Sequence, residues 1–475
     1  MKHFSQGSNR WWLLAVMTVA LLVRGGFLLS HHEHLHDDED GYQNVAEILR
    51  QTGTLGYGLT VEASRLSPSA HRPPLYPMML AAVASQEGGL SVTRVGLLNL
   101  GLGLATVFCV WILGREIAPD RPLVAAIAAL TVTADPLLLE RTSHTLTETP
   151  AAFFAALFAW LAVRAARTQS SWEWGFAGLS LGLGALCRPT FLPALVLTAL
   201  ALVFFGWLRR NEGGFFFRQE TRFAGAAVLG GICVLAPWAI RNYQVFGVPL
   251  LTTTHGGHTL VLSNDPAYLS HVRDWGAGAD WEFTGTNKWL VATDPLFAGL
   301  DPDGPGYASL SPEVELAMDR RASEIGWNFI RKDVEGFCQL LFARQSQFWK
   351  LMPGPIHKNE THSQWLMRCA VGAWYGLILV GALGMFFAKR GSWLSNRLWW
   401  GLILVIAFVG VHAFYWTSMR MRAPLMPWLC VLSASGTVAA ADWVRELMSV
   451  NRKEIWYARK QLAEFVQSFR FIGFL

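Results

Sequence analysis

Residues 11–42 of the 475-residue chain are WWLLAVMTVALLVRGGFLLSHHEHLHDDEDGY, an apolar block followed at once by a histidine-rich and acidic run. The apolar block, residues 11–30, has the length of about 20 residues that a helix needs to cross a hydrocarbon layer of ~30 Å. It follows Lys2 and Arg10, but it is long and lacks a small-residue cleavage site. We therefore expect an uncleaved membrane anchor rather than a secretory signal.

Similar apolar blocks recur along the chain, which is 52% hydrophobic and only 15% charged. A soluble domain carries roughly a quarter charged residues, so the composition argues against a water-soluble fold. Because a segment in lipid must satisfy its own backbone hydrogen bonds, the blocks predict an all-α polytopic membrane protein of about ten transmembrane helices. The predicted spans are residues 11–30, 94–114, 122–139, 149–165, 172–187, 190–208, 222–241, 366–388, 397–416 and 423–442.

Basic residues concentrate in the linkers between these blocks, and the linkers fall on one side of the membrane if the ten spans are correct. By the positive-inside tendency that side is the cytoplasm, which also explains the net charge of +5 without a nucleic-acid partner. Both termini then face the cytoplasm, and the predicted location is the inner (plasma) membrane. The linkers are residues 115–121, 164–167, 209–222 and 389–397.

Two long polar segments, residues 31–93 and 242–365, remain on the extracytoplasmic side, where we expect the active site. The apolar stretch 73–84 inside the first of them is too short to span, which predicts an interfacial or re-entrant helix. Residues 242–310 are rich in Gly, Asp, Thr and Pro and predict irregular structure, whereas residues 312–350 have helical periodicity. The predicted units are a transmembrane catalytic module (1–241) with its outer loop (31–93), an extracytoplasmic segment (242–365), C-terminal transmembrane helices (366–442) and a cytoplasmic amphipathic tail (443–475).

Four consecutive acids, Asp37, Asp38, Glu39 and Asp40, follow the first span. One interpretation is a solvated helix start, because the helix dipole favours acids in a first turn. The other is that one carboxylate accepts a proton from an incoming hydroxyl or amine and so activates a nucleophile. Glu148, just before Pro150, allows the same two interpretations, a helix-start acid or a group that positions the acceptor and assists the base.

The neighbouring histidines allow a metal site, because imidazole and carboxylate are common ligands. Their spacing matches no defined metal motif, so a hydrated loop is favoured; a divalent metal remains possible, and no metal ligand is assigned. The six cysteines form no disulfide framework or metal motif. The histidines are His31, His32, His34 and His36.

A set of arginines is predicted at the extracytoplasmic ends of the spans, against the orientation bias of the other basic residues. Guanidinium groups stay charged and bind phosphate bidentately, so such a set at membrane depth favours a lipid-phosphate headgroup as ligand. The alternative is that they extend to anionic headgroups or pair with local acids such as Glu140 and Asp274. The set is Arg72, Arg141, Arg188, Arg241, Arg420 and Arg422.

Six motifs in order along the chain carry a family resemblance. They are DEDGY (38–42), RPPLYP (72–77), TLTE (145–148), CRPTFLP (187–193), APWAIRNYQVFG (236–247) and MRMRAPLMP (419–427). Each is weak alone, but in this order and topological placement the chain resembles the membrane-embedded glycosyltransferases of the C superfold. The most similar group is that of the protein mannosyltransferases and lipid A aminoarabinose transferases, the glycosyltransferase family 39-like group.

The resemblance implies an essential aspartate four residues before a tyrosine. Counting back from Tyr42 gives Asp38, with Asp40 as the second candidate. Asp37 is an accessory candidate, and the run of acids leaves the choice of base among Asp37, Asp38 and Asp40 open. The basic residue before the paired prolines corresponds to Arg72, which would contact the carrier phosphate. Tyr42 and Tyr76 are accessory candidates, and Arg188, Arg241, Arg420 and Arg422 complete the predicted phosphate-binding set.

The function implied is transfer of a sugar from a polyprenyl-phosphate donor to an unknown extracytoplasmic acceptor (a lipid, glycan or protein) by inverting displacement. No nucleotide is expected, because no phosphate-binding glycine motif occurs in a polar domain. The alternatives are a transporter or flippase of lipid-linked glycans and a polysaccharide polymerase or ligase. A transporter is expected to place ionisable residues near mid-span and to have matching halves, whereas these charges gather at one rim.

Overall fold

The structure, a computed structural model, describes residues 6–57, 66–85, 89–212, 214–278, 283–300, 310–355, 360–387 and 398–449. The predicted linker 389–397 and most of the predicted tail 443–475 lie outside these residues.

The described chain is overwhelmingly helical. Its first nine helices are α1 (Gln6–Ser30), α2 (Tyr42–Thr52), α3 (Leu75–Val83), α4 (Val92–Ile117), α5 (Pro122–Thr133), α6 (Pro136–Thr142), α7 (Glu148–Thr168), α8 (Ser171–Cys187) and α9 (Phe191–Leu208). They are followed by α10 (Gly214–Phe246), α11 (Gly256–Val261), α12 (Pro266–Trp275), α13 (Phe283–Thr293), α14 (Pro312–Lys332), α15 (Val334–Phe348), α16 (His362–Leu383), α17 (Trp399–Val411) and α18 (Met426–Ser449).

The predicted polytopic all-α architecture is confirmed. Among the described residues, seven helices are long and apolar enough to cross a membrane, or eight if the bent pair α5–α6 forms one span. The predicted spans at 172–187 and 397–416 correspond to α8 and α17, which have only 17 and 13 residues. The protein is therefore a multi-pass membrane protein, while the count of ten stays a prediction.

The predicted span 122–139 is broken: α5 and α6 meet at an angle of 52°. Pro136 lacks the N–H that would bond the carbonyl of Val132 four residues earlier, so the helix cannot continue through it. The guanidinium of Arg24, on α1, fills the gap by donating to Val132 O at 2.7 Å and to Thr142 Oγ1 at 3.2 Å. Asp135 caps α6 by accepting from Leu138 N at 3.0 Å.

Small residues bring α8 and α10 into close contact. A Cβ added to Gly178 would lie 1.8 Å from the carbonyl oxygen of Ala227, and one added to Gly230 would lie 2.0 Å from that of Gly175. Only glycine, which has no Cβ, permits this approach. Lipid-embedded helices associate largely through such close packing of small residues. The pair forms a rigid wall of the bundle, and the end of α8 carries Arg188.

Ion pairs link two of the predicted cytoplasmic linkers at one end of the bundle. Arg167 Nη1 lies 3.0 Å from Glu116 Oε2, and Arg164 Nε lies 2.6 Å from Glu173 Oε1. Arg121 pairs with Asp442 near the end of α18. The linkers 115–121 and 164–167 thus share one end; that this end is cytoplasmic stays a prediction.

Residues 242–310 are more helical than the sequence predicts. Residues 242–310 contain α11, α12 and α13, so the expectation of irregular structure throughout is wrong. The Asp and Pro content suggested loops, but some of these residues begin helices. Asp265 accepts from Ala267 N at 2.8 Å and from Tyr268 N at 3.1 Å, and Pro266 occupies the first helical position. The helical prediction for 312–350 is confirmed by α14 and α15.

The loop after the first span folds into short elements. It contains α2, the nine-residue helix α3 in the predicted interfacial stretch, and an antiparallel pair of two-residue strands, β1 (Gly56–Tyr57) and β2 (Ser67–Pro68). Arg241, at the end of α10, donates to Leu55 O at 2.7 Å and to Ser69 O at 3.1 Å. The base of this loop is thereby fastened to the bundle beside the RPPLYP motif.

Candidate active site at the rim of the bundle

The DEDGY stretch turns sharply because Gly41 has a φ of 72°, in the left-handed region that glycine adopts without strain. Beyond the turn α2 begins, and the carboxylate of Asp38 caps it. Asp38 Oδ1 accepts from Gln43 N and Oδ2 from Asn44 N, both at 3.0 Å. Burial raises the pKa of Asp38 above its usual value, and these backbone donors only partly oppose the shift.

Asp40 points instead toward the arginines. Its Oδ1 lies 3.0 Å from Arg72 Nη2. Burial alone would raise the pKa of Asp40, but the positive charges of Arg72, Arg420 and Arg188 outweigh it and hold the pKa below its ordinary value. Asp40 is therefore ionised at neutral pH, whereas the neighbouring Asp38 binds a proton more readily.

Glu148 contributes the second buried carboxylate, at the first position of α7. Only 2% of its surface is exposed. Its Oε1 lies 3.3 Å from Arg188 Nη1 and 3.7 Å from Arg420 Nε. Arg420 also approaches Glu39 Oε2 at 3.5 Å, and its guanidinium lies 5.6 Å from the centre of the Trp416 ring. The TLTE, CRPTFLP and MRMRAPLMP motifs therefore meet at one point.

We call Asp40, Arg72, Glu148, Arg188 and Arg420 the rim cluster. Its three guanidinium groups face the carboxylates of Asp40 and Glu148, while the more exposed Glu39 also approaches Arg420. Since charge interactions strengthen where water is scarce, three convergent guanidinium groups favour an anionic ligand. A phosphate suits it, because each guanidinium offers a planar pair of donors.

Two tyrosines pack next to Arg72 of the rim cluster. Tyr42 packs edge-on against Tyr76 with ring centres 5.6 Å apart, and the Arg72 guanidinium lies 5.7 Å from the centre of the Tyr42 ring. Tyr76 donates to Asn99 Oδ1 at 3.1 Å. Asn99 in turn donates to the carbonyls of Thr142 at 3.2 Å and His144 at 2.9 Å. The loop before Glu148 is thereby tied to the RPPLYP helix.

A second set of hydrogen bonds joins the acidic loop directly to the TLTE loop. Gln43 Nε2 donates to Leu35 O at 2.7 Å and to Thr145 Oγ1 at 2.9 Å. Thr145 Oγ1 also donates to Leu35 O at 3.1 Å. These bonds hold the Asp38 region and Glu148 in a fixed relation although they lie about a hundred residues apart in the sequence.

Three arginines of the predicted set make other contacts. Arg241 donates to the loop carbonyls of Leu55 and Ser69. Arg422 donates to the carbonyls of Phe348 at 3.2 Å and Lys350 at 2.6 Å, and its guanidinium lies 4.3 Å from the centre of the Tyr375 ring. Arg141 pairs with Glu140 at 2.7 Å. The structure thus brings together Arg72, Arg188 and Arg420, but not Arg241 or Arg422.

The histidines after the first span form a partly exposed stack. The rings of His34 and His144 lie parallel with centres 5.1 Å apart, and His31 stacks on the other side at 6.4 Å. Asp37 is exposed and approaches His34 Nδ1 at 3.6 Å. Within the described part of the chain, no group of three His, Cys, Asp or Glu side chains is arranged to hold a metal ion.

Three groups that were not predicted from the sequence lie at the site or support the elements around it. Arg24 is 1% exposed within an apolar span, and its presence there was itself a signal, since an intramembrane charge implies a partner. Asn99 lies inside α4, and as an uncharged residue it gave no comparable indication in the sequence. His71, which precedes Arg72, packs edge-on against His255 at 4.3 Å, and burial lowers the pKa of His71, so this ring stays neutral beside the arginine.

A comparison with protein-family models finds one match, dolichyl-phosphate-mannose-protein mannosyltransferase, over residues 71–240. This stretch includes Arg72, Glu148 and Arg188 of the rim cluster. No curated protein matches the chain.

Solved structures give the fold. The oligosaccharyltransferase AglB from Archaeoglobus fulgidus, in complex with an inhibitory peptide and a dolichol-phosphate, is 15% identical with a TM-score of 0.52. That match covers 97% of this chain and 52% of AglB. The apo oligosaccharyltransferase of the same organism is 16% identical with a TM-score of 0.50, and that match covers 91% of this chain and 51% of the other.

ArnT from Cupriavidus metallidurans bound to undecaprenyl phosphate also matches, at 14% identity and a TM-score of 0.38, over 93% of this chain and 81% of ArnT. The chain spans about half the length of the two archaeal structures. The predicted resemblance is confirmed: the protein has the fold of the membrane-embedded glycosyltransferases of the C superfold, and its residues 71–240 match the dolichyl-phosphate-mannose-protein mannosyltransferase family.

Proposed function

We propose that the protein transfers a sugar from a polyprenyl-phosphate carrier to an acceptor on the extracytoplasmic side of the membrane. The observation that carries this proposal is the rim cluster, in which Arg72, Arg188 and Arg420 converge with Asp40 and Glu148 at one end of a transmembrane bundle. An isoprenoid tail in the bilayer would deliver its phosphate at this depth. AglB, which shares the fold, is solved with a dolichol-phosphate.

The arginines would stabilise the leaving phosphate. As the glycosidic bond breaks, the phosphate oxygen gains negative charge, and fixed guanidinium groups bind that charge more strongly in the transition state than in the ground state. Asp40 and Glu148 hold the arginines in place before the donor arrives. Without these carboxylates, the buried guanidinium groups would repel one another and move apart.

Asp38 is the group we assign as the general base. Its raised pKa makes it a better proton acceptor than Asp40, whose pKa the arginines depress. Its two oxygens are oriented by the backbone N–H groups of α2, and each oxygen keeps a second lone pair for the acceptor. A base held in this way is already positioned for the reaction.

The proposed step is a single displacement. An acceptor O–H or N–H bond breaks as Asp38 takes the proton, and the freed lone pair forms a bond to the anomeric carbon. The bond from that carbon to the phosphate oxygen breaks on the opposite face, and its electron pair stays on the phosphate. The configuration at the anomeric carbon inverts, and no nucleotide takes part.

The test compares envelope lipids and glycans by mass spectrometry in cells with the gene, without it, and with an Arg188→Gln variant inserted in the membrane. We expect a polyprenyl-phosphate sugar to accumulate and one glycosylated product to disappear in both defective strains. An unchanged glycan profile together with a lost solute flux would instead identify a transporter and would refute the proposal. A loss of long polymer with intact single-sugar products would indicate the polymerase alternative.

A further inference from the structure

Helix α15 carries an apolar stripe that the protein does not cover. Val334 and Phe342 are 62% and 67% exposed, and Cys338 between them is also exposed. Their spacing of four residues puts them on one face of the helix. The opposite face is packed, since Leu340 and Ala343 are fully buried against α12.

The position of α15 places this stripe beside the transmembrane surface. Gln345 Nε2 donates to Val409 O at 3.3 Å, and Arg344 Nε donates to Ala413 O at 2.9 Å. Val409 lies in the last turn of α17, and Ala413 follows that helix directly. The C-terminal half of α15 therefore lies level with the end of an apolar helix, where the lipid headgroups begin.

Two further observations fit a membrane contact. Trp275, at the end of α12, is 76% exposed, and its helix is joined to α15 by a bond of 3.0 Å from Arg273 Nε to Gln339 Oε1. Tryptophan is enriched at the interface between lipid and water. Arg331 and Lys332 are exposed just before α15, and long basic side chains of this kind extend to lipid headgroups.

We infer that α15 is an interfacial helix whose stripe of Val334, Cys338 and Phe342 inserts into the lipid leaflet nearest the rim cluster. A helix of this kind lies in the membrane plane with its apolar face about 5–10 Å deep in the headgroup region. It would anchor the extracytoplasmic segment directly on the bilayer. The inference does not depend on the proposed reaction.

The natural cysteine allows a direct test on the full-length protein. Cys233 and Cys369, the other two cysteines that are not buried, are replaced by alanine, and a nitroxide is attached to Cys338. The protein is placed in phosphatidylglycerol–phosphatidylcholine vesicles, and collisions of the nitroxide with oxygen and with a water-soluble nickel complex are measured. The matched control carries Cys338→Ala and Asn328→Cys, because Asn328 is exposed on α14.

We expect the oxygen-to-nickel collision ratio at Cys338 to be several-fold higher than at the Asn328→Cys control, because oxygen concentrates in lipid. A ratio equal to that of the control would place the stripe in water and overturn the inference. Protection from both reagents would mean that protein covers the stripe, such as a second copy, and would overturn it equally. Intact size-exclusion behaviour of both labelled proteins shows that each is folded.

Discussion

At the scale of single residues, the acidic run divides into groups with different surroundings. Asp38 caps a helix, Asp40 pairs with an arginine, and Asp37 and Glu39 are largely exposed. Two carboxylates whose environments move their pKa values in opposite directions are suited to different roles. The helix-start interpretation of the run thus applies to Asp38, which is also the residue that we propose as the reacting acid.

Substitution of the two aspartates by asparagine should affect different kinetic constants. We expect Asp38→Asn to lower kcat by about 10²-fold or more with little change in the KM for donor, because a lost general base affects the chemical step. Asp40→Asn should mainly raise the KM for donor, because Arg72 loses its partner. The measurement is steady-state transfer with purified protein at varied donor concentration.

The exposed Asp37→Asn serves as the matched control and should behave like the parent. In the parent, kcat/KM should fall as the pH is lowered through the raised pKa of Asp38, because the base must be unprotonated to act. An Asp38→Asn variant with parental kcat would remove Asp38 from the mechanism, and an Asp40→Asn variant with a parental KM for donor would remove the role proposed for Asp40.

At the scale of elements, the break between α5 and α6 determines where α7 begins. Pro136 leaves Val132 O without its helical partner, and Arg24 supplies the missing donor at 2.7 Å. The short helix α6 then leads into the loop that Asn99 holds, and Glu148 follows. The buried guanidinium of Arg24 thus satisfies a broken backbone within an apolar span.

A double-mutant cycle tests this pairing. Arg24→Met should destabilise the protein by about 1–3 kcal/mol, because the Val132 carbonyl loses its short bond from Arg24 and keeps weaker bonds such as that from Asp135 N at 3.5 Å. Pro136→Ala supplies an N–H four residues after Val132, so the double variant should recover part of the loss. The measurement is thermal unfolding in detergent, and strictly additive effects of the two substitutions would contradict a shared role.

At the scale of the whole molecule, contacts at two places hold the segment 242–365, one with the loop after the first span and one with the chain just after α17. Near the RPPLYP motif, Glu315 of α14 accepts from Ala70 N at 3.0 Å and from Thr254 Oγ1. On the other side, Arg344 donates to Ser263 O and to Ala413 O, the latter at 2.9 and 2.6 Å. The segment 242–365 is therefore held against the loop that carries Arg72 and against the end of α17.

Removal of the second attachment should loosen the segment. Arg344→Met leaves the carbonyls of Ser263 and Ala413 without their donor, at a cost of about 1–3 kcal/mol for each. We expect faster cleavage between residues 242 and 365 in limited proteolysis and a lower unfolding temperature. Arg320→Met, an exposed arginine on α14, is the control. Equal cleavage rates for the two variants would show that Arg344 is not an attachment point.

The sequence by itself determined the membrane class and the positions of the long helices. Hydropathy acts over about 20 consecutive residues, so it is a local property that needs no knowledge of neighbours. The order of the motifs along the chain was likewise sufficient to indicate the family resemblance. The match over residues 71–240 and the fold comparison confirm that resemblance. Local composition gave a wrong prediction of irregular structure at 242–310, because the Asp and Pro residues that begin helices there are also common in loops.

Only the tertiary structure decided which charges meet. Arg72, Arg188, Arg241, Arg420 and Arg422 are alike in type and predicted depth, yet three of them reach carboxylates and two bind backbone carbonyls. Likewise, the pairing of Asp40 with Arg72, which distinguishes it from Asp38, is a tertiary contact. The physical reason is that an ion pair depends on the distance between groups that lie far apart in the sequence, and the packing of helices alone sets that distance.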